Sequence, residues 1–161
     1  MNSLKNRNER RWITFDDLST SLLSIPNVLY YTISMETIRT EGAPLPKGHY
    51  EQGILAGGFL FVAGQLPIDP HTGELVPGRM EEQALQAFRN LEAVVKAAGG
   101  SKEDVVKVTV YIPDIAQWGT VNRIYAEFFG THKPARSVVP TRELHYGALL
   151  EVEAIAWLGE S

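Results

Sequence analysis

The sequence predicts a single α+β or α/β domain in which helices cover one face of a β-sheet. Apolar runs of strand length alternate with two stretches of helical periodicity, in the order ββαβαββ. The chain has 161 residues, which is the size of one domain and enough to bury a substantial core. Its composition, 44% hydrophobic and 21% charged, is that of an ordinary globular protein.

The composition also excludes several kinds of chemistry. The chain contains no cysteine, so it holds no disulfide, thiolate zinc site, iron–sulfur cluster or cysteine nucleophile. Its 15 Lys and Arg against 19 Asp and Glu leave a net charge of −4, which does not attract nucleic acid. The 4 histidines lack the spacing of a helical metal site, and Gly57-Gly58 and Gly99-Gly100 lack the context of a phosphate-binding loop, so we expect neither a metal nor a cofactor.

Residues 1–34 show little pattern. We expect them to be an N-terminal extension, either poorly ordered or a start-site artefact, ahead of a domain over residues 35–161. Their apolar run from Leu22 to Leu29 is interrupted by Pro26, so it does not match a secretory signal. No run approaches the roughly 18 apolar residues of a membrane span. We therefore expect a cytoplasmic protein without a membrane partner, and an organellar presequence stays open as an alternative.

The first elements of the predicted domain are a hairpin and a helix. Apolar runs over 53–56 and 59–63 flank Gly57-Gly58, and two glycines between such runs are typical of a tight β-turn. Proline, aspartate and glycine predict a loop over 67–78. Apolar residues three or four apart then predict a helix over 80–98, which ends at the glycine pair that follows.

A strand, a second helix and two more strands complete the pattern. β-Branched residues predict a strand over 105–112. Asp114, with Gln117 three residues later, predicts a capping box at the start of the second helix. Strands follow over 137–140 and 149–158. The second helix is expected to bury one stripe of side chains, namely Ile115, Trp118, Val121, Tyr125 and Phe128.

The last predicted strand carries two carboxylates in an apolar setting. Alternation places Glu151 and Glu153 on one face, and the apolar residues between them on the face toward the helices. Carboxylates in such a strand are costly unless they reach water, a cation or a subunit interface. From the residues alone, a solvated outer face and a functional site are both open.

Arg136 is a second candidate for a functional residue. It enters a predicted strand, and its fork of donors can hold a carboxylate with two hydrogen bonds. The alternative is an ordinary surface arginine. If Arg136 and Glu151 lie on neighbouring strands of one sheet, they form a pocket that binds a carboxylate and handles a proton beside it.

Six blocks of residues resemble the RidA/YjgF family of small enamine and imine deaminases. They occur in the family's order over residues 36–158, roughly three quarters of the chain. The blocks are Gly48–Gly53, Ala56–Pro67, Asp104–Tyr111, Val121–Phe129, Pro134–Ser137 and Glu151–Ala156.

The resemblance implies a chorismate-mutase-like α+β fold, with a mixed β-sheet and two helices on one of its faces. It implies a homotrimer whose sheets form a barrel, with three clefts between subunits. It also implies a reaction, the hydrolysis of 2-iminobutanoate and 2-iminopropanoate to 2-oxo acids and ammonia. Neither a metal nor a cofactor takes part in that reaction.

The family's functional residues match positions in this chain. Arg136 matches the arginine that binds the substrate carboxylate, and Glu151 matches the acid that orients water or moves a proton. Glu153 matches a second acid, for which we expect a structural role. The other matches line the cleft, and they are Tyr50, the backbone of Gly64, and Asn122.

This sequence departs from the usual family pattern at several wall positions, among them Ala63, Val138, His49 and His145, and these put the substrate range in question. The two histidines are additional candidates for acids in the site. A module that binds a metabolite in the same cleft without turnover is therefore an alternative function. Ribonuclease activity, an older label of this family, is a third, and the net negative charge argues against it.

Overall fold

Six strands form one mixed sheet, and two α-helices cover one of its faces. The computed structural model describes residues 34–159, so the predicted N-terminal extension lies, but for its last residue, outside the described residues. The strands are β1 (Met35–Ile38), β2 (Gly53–Ala56), β3 (Phe59–Gln65), β4 (Val105–Ile112), β5 (Ala135–Pro140) and β6 (Glu151–Trp157), and the helices are α1 (Met80–Ala97) and α2 (Trp118–Phe129).

The sheet order is β1-β2-β3-β6-β4-β5. Only β4 and β5 run parallel, and every other neighbouring pair is antiparallel. The last strand of the chain therefore lies in the middle of the sheet, between β3 and β4. This arrangement confirms the α+β class with a mixed sheet and both helices on one face.

β1 is an element that the sequence analysis missed. It pairs with β2 at the edge of the sheet, and three of its four residues are exposed. A four-residue strand with one buried side chain has no alternation strong enough to be recognised.

The β2–β3 hairpin forms where it was predicted. Gly57 and Gly58 have φ angles of 55° and 78°, which are both in the left-handed region. A two-residue turn with both φ angles positive is type I′, whose twist matches that of the flanking strands. Residues with a side chain rarely adopt this backbone, so the glycine pair determines the turn.

α1 also confirms its predicted pattern. Its buried side chains recur at three- and four-residue steps and pack on the sheet. At its C-terminus, Gly99 donates its N–H to the Lys96 carbonyl and Gly100 donates to the Val95 carbonyl, both at 3.0 Å. With Gly99 at φ 85°, this is a Schellman motif, which satisfies two carbonyls that the helix leaves free.

The start of the second helix differs from the prediction. Asp114 Oδ1 accepts a hydrogen bond from the Ala116 N–H at 2.9 Å, and it caps a 3₁₀ turn over Ile115–Gln117. The predicted capping box with Gln117 does not form, and α2 begins only at Trp118.

This 3₁₀ turn makes part of the predicted stripe wrong. A 3₁₀ turn advances by about 120° per residue where an α-helix advances by about 100°, so Ile115 falls off the stripe. Trp118 is the first residue of α2 and lies at the end of the stripe. Ile115 and Trp118 are 53% and 46% exposed. The buried side chains of α2 are Val121, Ile124, Tyr125 and Phe129.

An aromatic cluster joins the two helices. Phe88 of α1 lies with its ring centroid 5.8 Å from that of Tyr125 and 5.2 Å from that of Phe128. The Tyr125 hydroxyl is buried and has no hydrogen-bond partner within the described residues. Burial raises the pKa of Tyr125 to about 12, so the hydroxyl is neutral at any physiological pH.

Apart from Tyr125, the buried polar side chains of the described residues are amides: Gln52, Gln65, Gln83 and Asn90. Asn90 of α1 donates to the backbone carbonyls of Leu66 and Ile68, both at 2.9 Å, and accepts from Gln86 at 2.8 Å. It therefore ties the segment after β3 to the middle of α1. These bonds replace the ladder bonds that this segment lacks.

We expect Asn90→Leu to destabilise the fold by about 1–3 kcal/mol, because it leaves the buried Ile68 carbonyl without its donor and removes one of the two donors to the Leu66 carbonyl. Denaturant unfolding at equal protein concentrations measures the difference. The exposed neighbour Arg89 provides the control, since Arg89→Leu is expected to stay within about 0.5 kcal/mol of wild type. An Asn90→Leu variant as stable as wild type would contradict this account.

We expect Tyr125→Phe to stabilise the fold by about 1 kcal/mol, because it removes a buried hydroxyl that has no partner. The matched control is Tyr111→Phe, which removes a hydroxyl that donates to Glu153 Oε1 at 3.1 Å. That variant should lose about 0.5–1.5 kcal/mol. Equal effects of the two substitutions on the free energy of unfolding would refute the distinction.

Candidate active site

A cleft of about 440 Å³ brings together three of the predicted site residues, Tyr50, Gly64 and Glu151. Tyr50 comes from the segment before β2, Gly64 from β3 and Glu151 from the start of β6. The rest of the lining consists of Lys47, Gly48, Ala63, Leu66, His145 and Tyr146. Residues far apart in sequence thus meet at one end of the sheet.

Gln52 anchors the segment that carries Tyr50. Its side-chain nitrogen donates to the carbonyls of Thr40, Ala43 and Pro44 at 3.0, 3.0 and 2.9 Å. Its side-chain oxygen accepts the Thr40 N–H at 2.6 Å. A buried amide with this many backbone partners holds an otherwise irregular segment in one conformation.

A β-bulge places Gly64 against Glu151. Val62 pairs with Ala154 and Gln65 pairs with Val152, so β3 has one residue more than β6 between these pairs. A Cβ atom at position 64 would overlap the Glu151 carboxylate. A larger residue at this position would therefore displace the Glu151 carboxylate, and glycine leaves the room in which the carboxylate lies.

Glu151 lies half-buried in this cleft. Burial raises the pKa of its carboxyl above the usual range, because it disfavours the charged form. The positive charge of His145 opposes this effect, and the nearby Glu153 carboxylate adds to it. Such a carboxyl is suited to exchanging a proton closer to neutral pH than an exposed glutamate.

Arg136 and Asn122 form a second group. Arg136 Nη2 donates to Asn122 Oδ1 at 2.9 Å, and the guanidinium lies 4.5 Å from the ring centroid of Tyr125. The aromatic face and the amide oxygen fix the plane of the guanidinium. Its other N–H groups are free, among the residues described, to bind an anion.

The two groups lie on opposite faces of the sheet, which corrects the expectation of neighbouring strands. β4 separates β5 from β6. Arg136 pairs with Val108, a fully buried residue of the face that the helices cover, whereas Glu151 pairs with Tyr111 on the outer face. One copy of the chain therefore does not place Arg136 and Glu151 in the same cleft.

Glu153 lies on the outer face of the sheet, as predicted. It accepts the hydrogen bond from the Tyr111 hydroxyl, and burial together with this bond raises the pKa of Tyr111. Beside it, Lys107 donates to Ser137 at 3.0 Å. The same face of the sheet also carries three large apolar side chains, Phe59, Phe61 and Trp157, which are 42%, 48% and 52% exposed.

Tyr146 and Lys47 are among the residues of the Glu151 cleft that escaped the sequence analysis. Tyr146 has a φ of 62°, a left-handed conformation that non-glycine residues rarely adopt. The Lys47 ammonium lies 5.2 Å from its ring centroid. A strained backbone of this kind cannot be read from a sequence, although the His145-Tyr146-Gly147 segment suggests a turn.

The two candidate histidines lie in different surroundings. His145 lines the cleft of Glu151. His49 lines an adjacent cleft with Arg39 and Glu51, which form an ion pair at 2.6 Å.

Within residues 34–159 no group of three His, Asp or Glu side chains could hold a metal ion. No helix of this part of the chain is long and apolar enough to cross a membrane.

Comparison with known proteins gives consistent results. The family model described as Endoribonuclease L-PSP matches residues 40–158. A RutC family protein of Pyrococcus horikoshii is 51% identical over 122 residues, covering 76% of this chain and 97% of that protein. The 2-iminobutanoate/2-iminopropanoate deaminase of Rattus norvegicus is 42% identical over 128 residues, covering 80% of this chain and 93% of the rat protein.

Solved structures agree with these relatives. A protein of the conserved Rid family from Yersinia pestis superimposes with a TM-score of 0.75 at 43% identity, covering 77% of this chain and 99% of that one. The structure of Escherichia coli TdcF with bound serine has a TM-score of 0.74 at 39% identity, covering 77% and 99%. The fold, the family match over residues 40–158 and these relatives all agree. The chain therefore belongs to the endoribonuclease L-PSP family, which is the RidA/YjgF family that its sequence blocks resemble.

Proposed function

We propose that the protein is a deaminase that hydrolyses 2-imino acids, with 2-iminobutanoate and 2-iminopropanoate as its substrates. The observation that carries this proposal is a pair of half-sites, one formed by Arg136 and Asn122 and the other by Tyr50, Gly64 and Glu151. An anchored arginine with free donors is suited to a carboxylate, and a carboxyl of raised pKa is suited to a proton beside it. Family relatives that bear this activity by name support the same reaction.

We further propose that the half-sites meet between subunits of a homotrimer. In one chain Arg136 and Glu151 are on opposite faces of the sheet, so only a second copy can bring them together. The outer face, with exposed Phe59, Phe61 and Trp157, is an apolar surface suited to such an interface. In this assembly, Arg136 and Asn122 of one subunit complete the cleft of Tyr50, Gly64 and Glu151 in the next.

The reaction requires few groups. The guanidinium of Arg136 holds the substrate carboxylate with two hydrogen bonds and orients C2 of the imine toward Glu151. Glu151 in its ionised form accepts a proton from water as the water oxygen bonds to C2. Since a protonated imine is already electrophilic, no covalent nucleophile is required. The carbinolamine then loses ammonia and leaves the 2-oxo acid.

A binding protein without turnover is the second candidate. The structure of Escherichia coli TdcF holds serine, so a relative of this chain accommodates a small amino acid. Ala63, a departure from the family pattern, lies in the wall of the Glu151 cleft. Tight binding of 2-oxobutanoate without any acceleration of imine hydrolysis would favour this function over the deaminase.

We expect Arg136→Ala to abolish the acceleration of imine hydrolysis, with a loss of at least about 100-fold, because orientation by the carboxylate contact is lost. A threonine dehydratase generates 2-iminobutanoate, and the formation of 2-oxobutanoate is followed with and without the protein. Arg136→Lys, which keeps the charge but not the fork, should retain a small part of the activity. Full activity of Arg136→Ala would contradict the mechanism.

We expect the inactive variants Arg136→Ala and Glu151→Gln to restore activity when they are co-expressed. A shared site is intact when its glutamate comes from the first variant and its arginine from the second, which holds for about a quarter of the sites after random assembly. The control is each variant expressed alone. Absence of recovery in hybrids that mass spectrometry shows to be mixed would mean that the site is not shared.

A further inference from the structure

His145 shares the cleft of Glu151 and belongs to a short turn ahead of β6, His145–Gly147. The side chain is exposed, whereas the Glu151 carboxyl is half-buried. A proton can therefore pass between His145 and solvent without entering the interior. The turn brings this residue to the cleft from a segment that is outside the sheet ladder.

The turn is held in a specific conformation. Tyr146 adopts a left-handed backbone, which is unfavourable for a non-glycine residue. The Lys47 ammonium over the Tyr146 ring and the Gly147 N–H, which donates to the Leu144 carbonyl at 3.2 Å, accompany this conformation. Strain of this kind persists where the surroundings determine one geometry, and it is frequent at functional sites.

The charged and titratable groups around Glu151 come from four elements. Glu153 is on the same strand and Tyr111 is opposite on β4. Lys47 and Tyr50 precede β2, while His145 and Tyr146 precede β6. Among these groups, histidine is the residue type that exchanges protons between pH 5 and 8.

When the imine enters the site unprotonated, its hydrolysis involves two proton transfers in the addition step. When water adds to C2, one proton must leave the water and another must reach the imine nitrogen. If both depended on Glu151, the same carboxyl would have to accept and donate at nearly the same moment. A second group with the opposite protonation state removes this conflict.

We propose that His145 is this second group, a catalytic residue of the imine deaminase reaction. The inference rests on the function proposed above. In the first step the water oxygen bonds to C2, the water gives a proton to Glu151, and the imidazolium of His145 gives a proton to the nitrogen. In the second step Glu151 returns its proton to the amine, the C–N bond breaks with release of ammonia, and neutral His145 takes the hydroxyl proton. Both residues end in their starting protonation states.

His49 provides a matched control. It is also exposed and lies on the neighbouring segment, but it lines the cleft of Arg39 and Glu51. The pKa of Glu51 is lowered mainly by its hydrogen bond to Arg39 and least by the charge of His49, whereas the charge of His145 acts on Glu151. Substituting His145 or His49 therefore removes the same kind of side chain, but only His145 lies in the cleft of the Glu151 carboxyl.

The test is the pH profile of kcat/KM for 2-iminobutanoate hydrolysis in wild type, His145→Gln, His145→Lys and His49→Gln. We expect His145→Gln to lose about 100-fold at neutral pH. Its acidic limb should move to higher pH, since removal of a positive charge raises the pKa of Glu151. His49→Gln should keep the wild-type profile.

His145→Lys separates proton transfer from charge. It keeps a positive charge near Glu151 but does not release a proton readily near neutral pH. We expect its acidic limb to resemble wild type while the rate stays low. Recovery of the full wild-type rate in His145→Lys would overturn the proposed proton transfer.

The outcomes distinguish this inference from the function on which it rests. A wild-type protein that gives no acceleration would refute the deaminase and the role of His145 together. An active wild type, an inactive Arg136→Ala and a His145→Gln variant with the wild-type profile would refute the role of His145 alone.

Discussion

The two-sided character of β6 is the constraint on which the rest of the structure depends. This strand pairs with both β3 and β4, so it lies in the middle of the sheet. Its inner face is apolar and almost completely buried beneath the helices. Removing such apolar side chains from water is a main source of the free energy of folding. Its outer face carries the carboxylates. One strand therefore anchors the core and presents Glu151, and a shift of one residue in register would exchange the two faces.

Amide side chains hold the irregular segments that the hydrogen bonds of the sheet do not fix. The cleft is built largely from irregular segments, whose backbone groups have no ladder partners. Gln52 holds the segment before Tyr50, and Asn90 holds the segment after β3. A third amide, Gln83, links two more segments, since it donates to the Val76 carbonyl and accepts the Leu149 N–H. Fixed loops around a rigid sheet are the arrangement that keeps a small site in one geometry.

The positions of Arg136 and Glu151 on the sheet connect the proposed catalysis with the proposed association of subunits. Because they lie on opposite faces, a monomer has two half-sites, and the proposed chemistry requires a second copy. The exposed apolar side chains of the outer face also favour association with a second copy, because contact of Phe61 and Trp157 with water is unfavourable. On this proposal, catalysis and association depend on the same surface.

The sequence by itself determined the elements whose signals are local. The glycine turn, the stripe of α1, the span of β4 and the two faces of β6 follow from periodicity and turn chemistry, and the family follows from six blocks of residues. Elements with weak or irregular patterns were missed or misjudged, such as β1 and the turn before α2. Only the tertiary structure decided that β6 lies between β3 and β4, that Arg136 faces Tyr125 away from Glu151, and that His145 and not His49 shares the cleft of Glu151. These relations depend on strand order and on the paths of loops, which arise from contacts between residues far apart in sequence and leave no periodic trace along the chain.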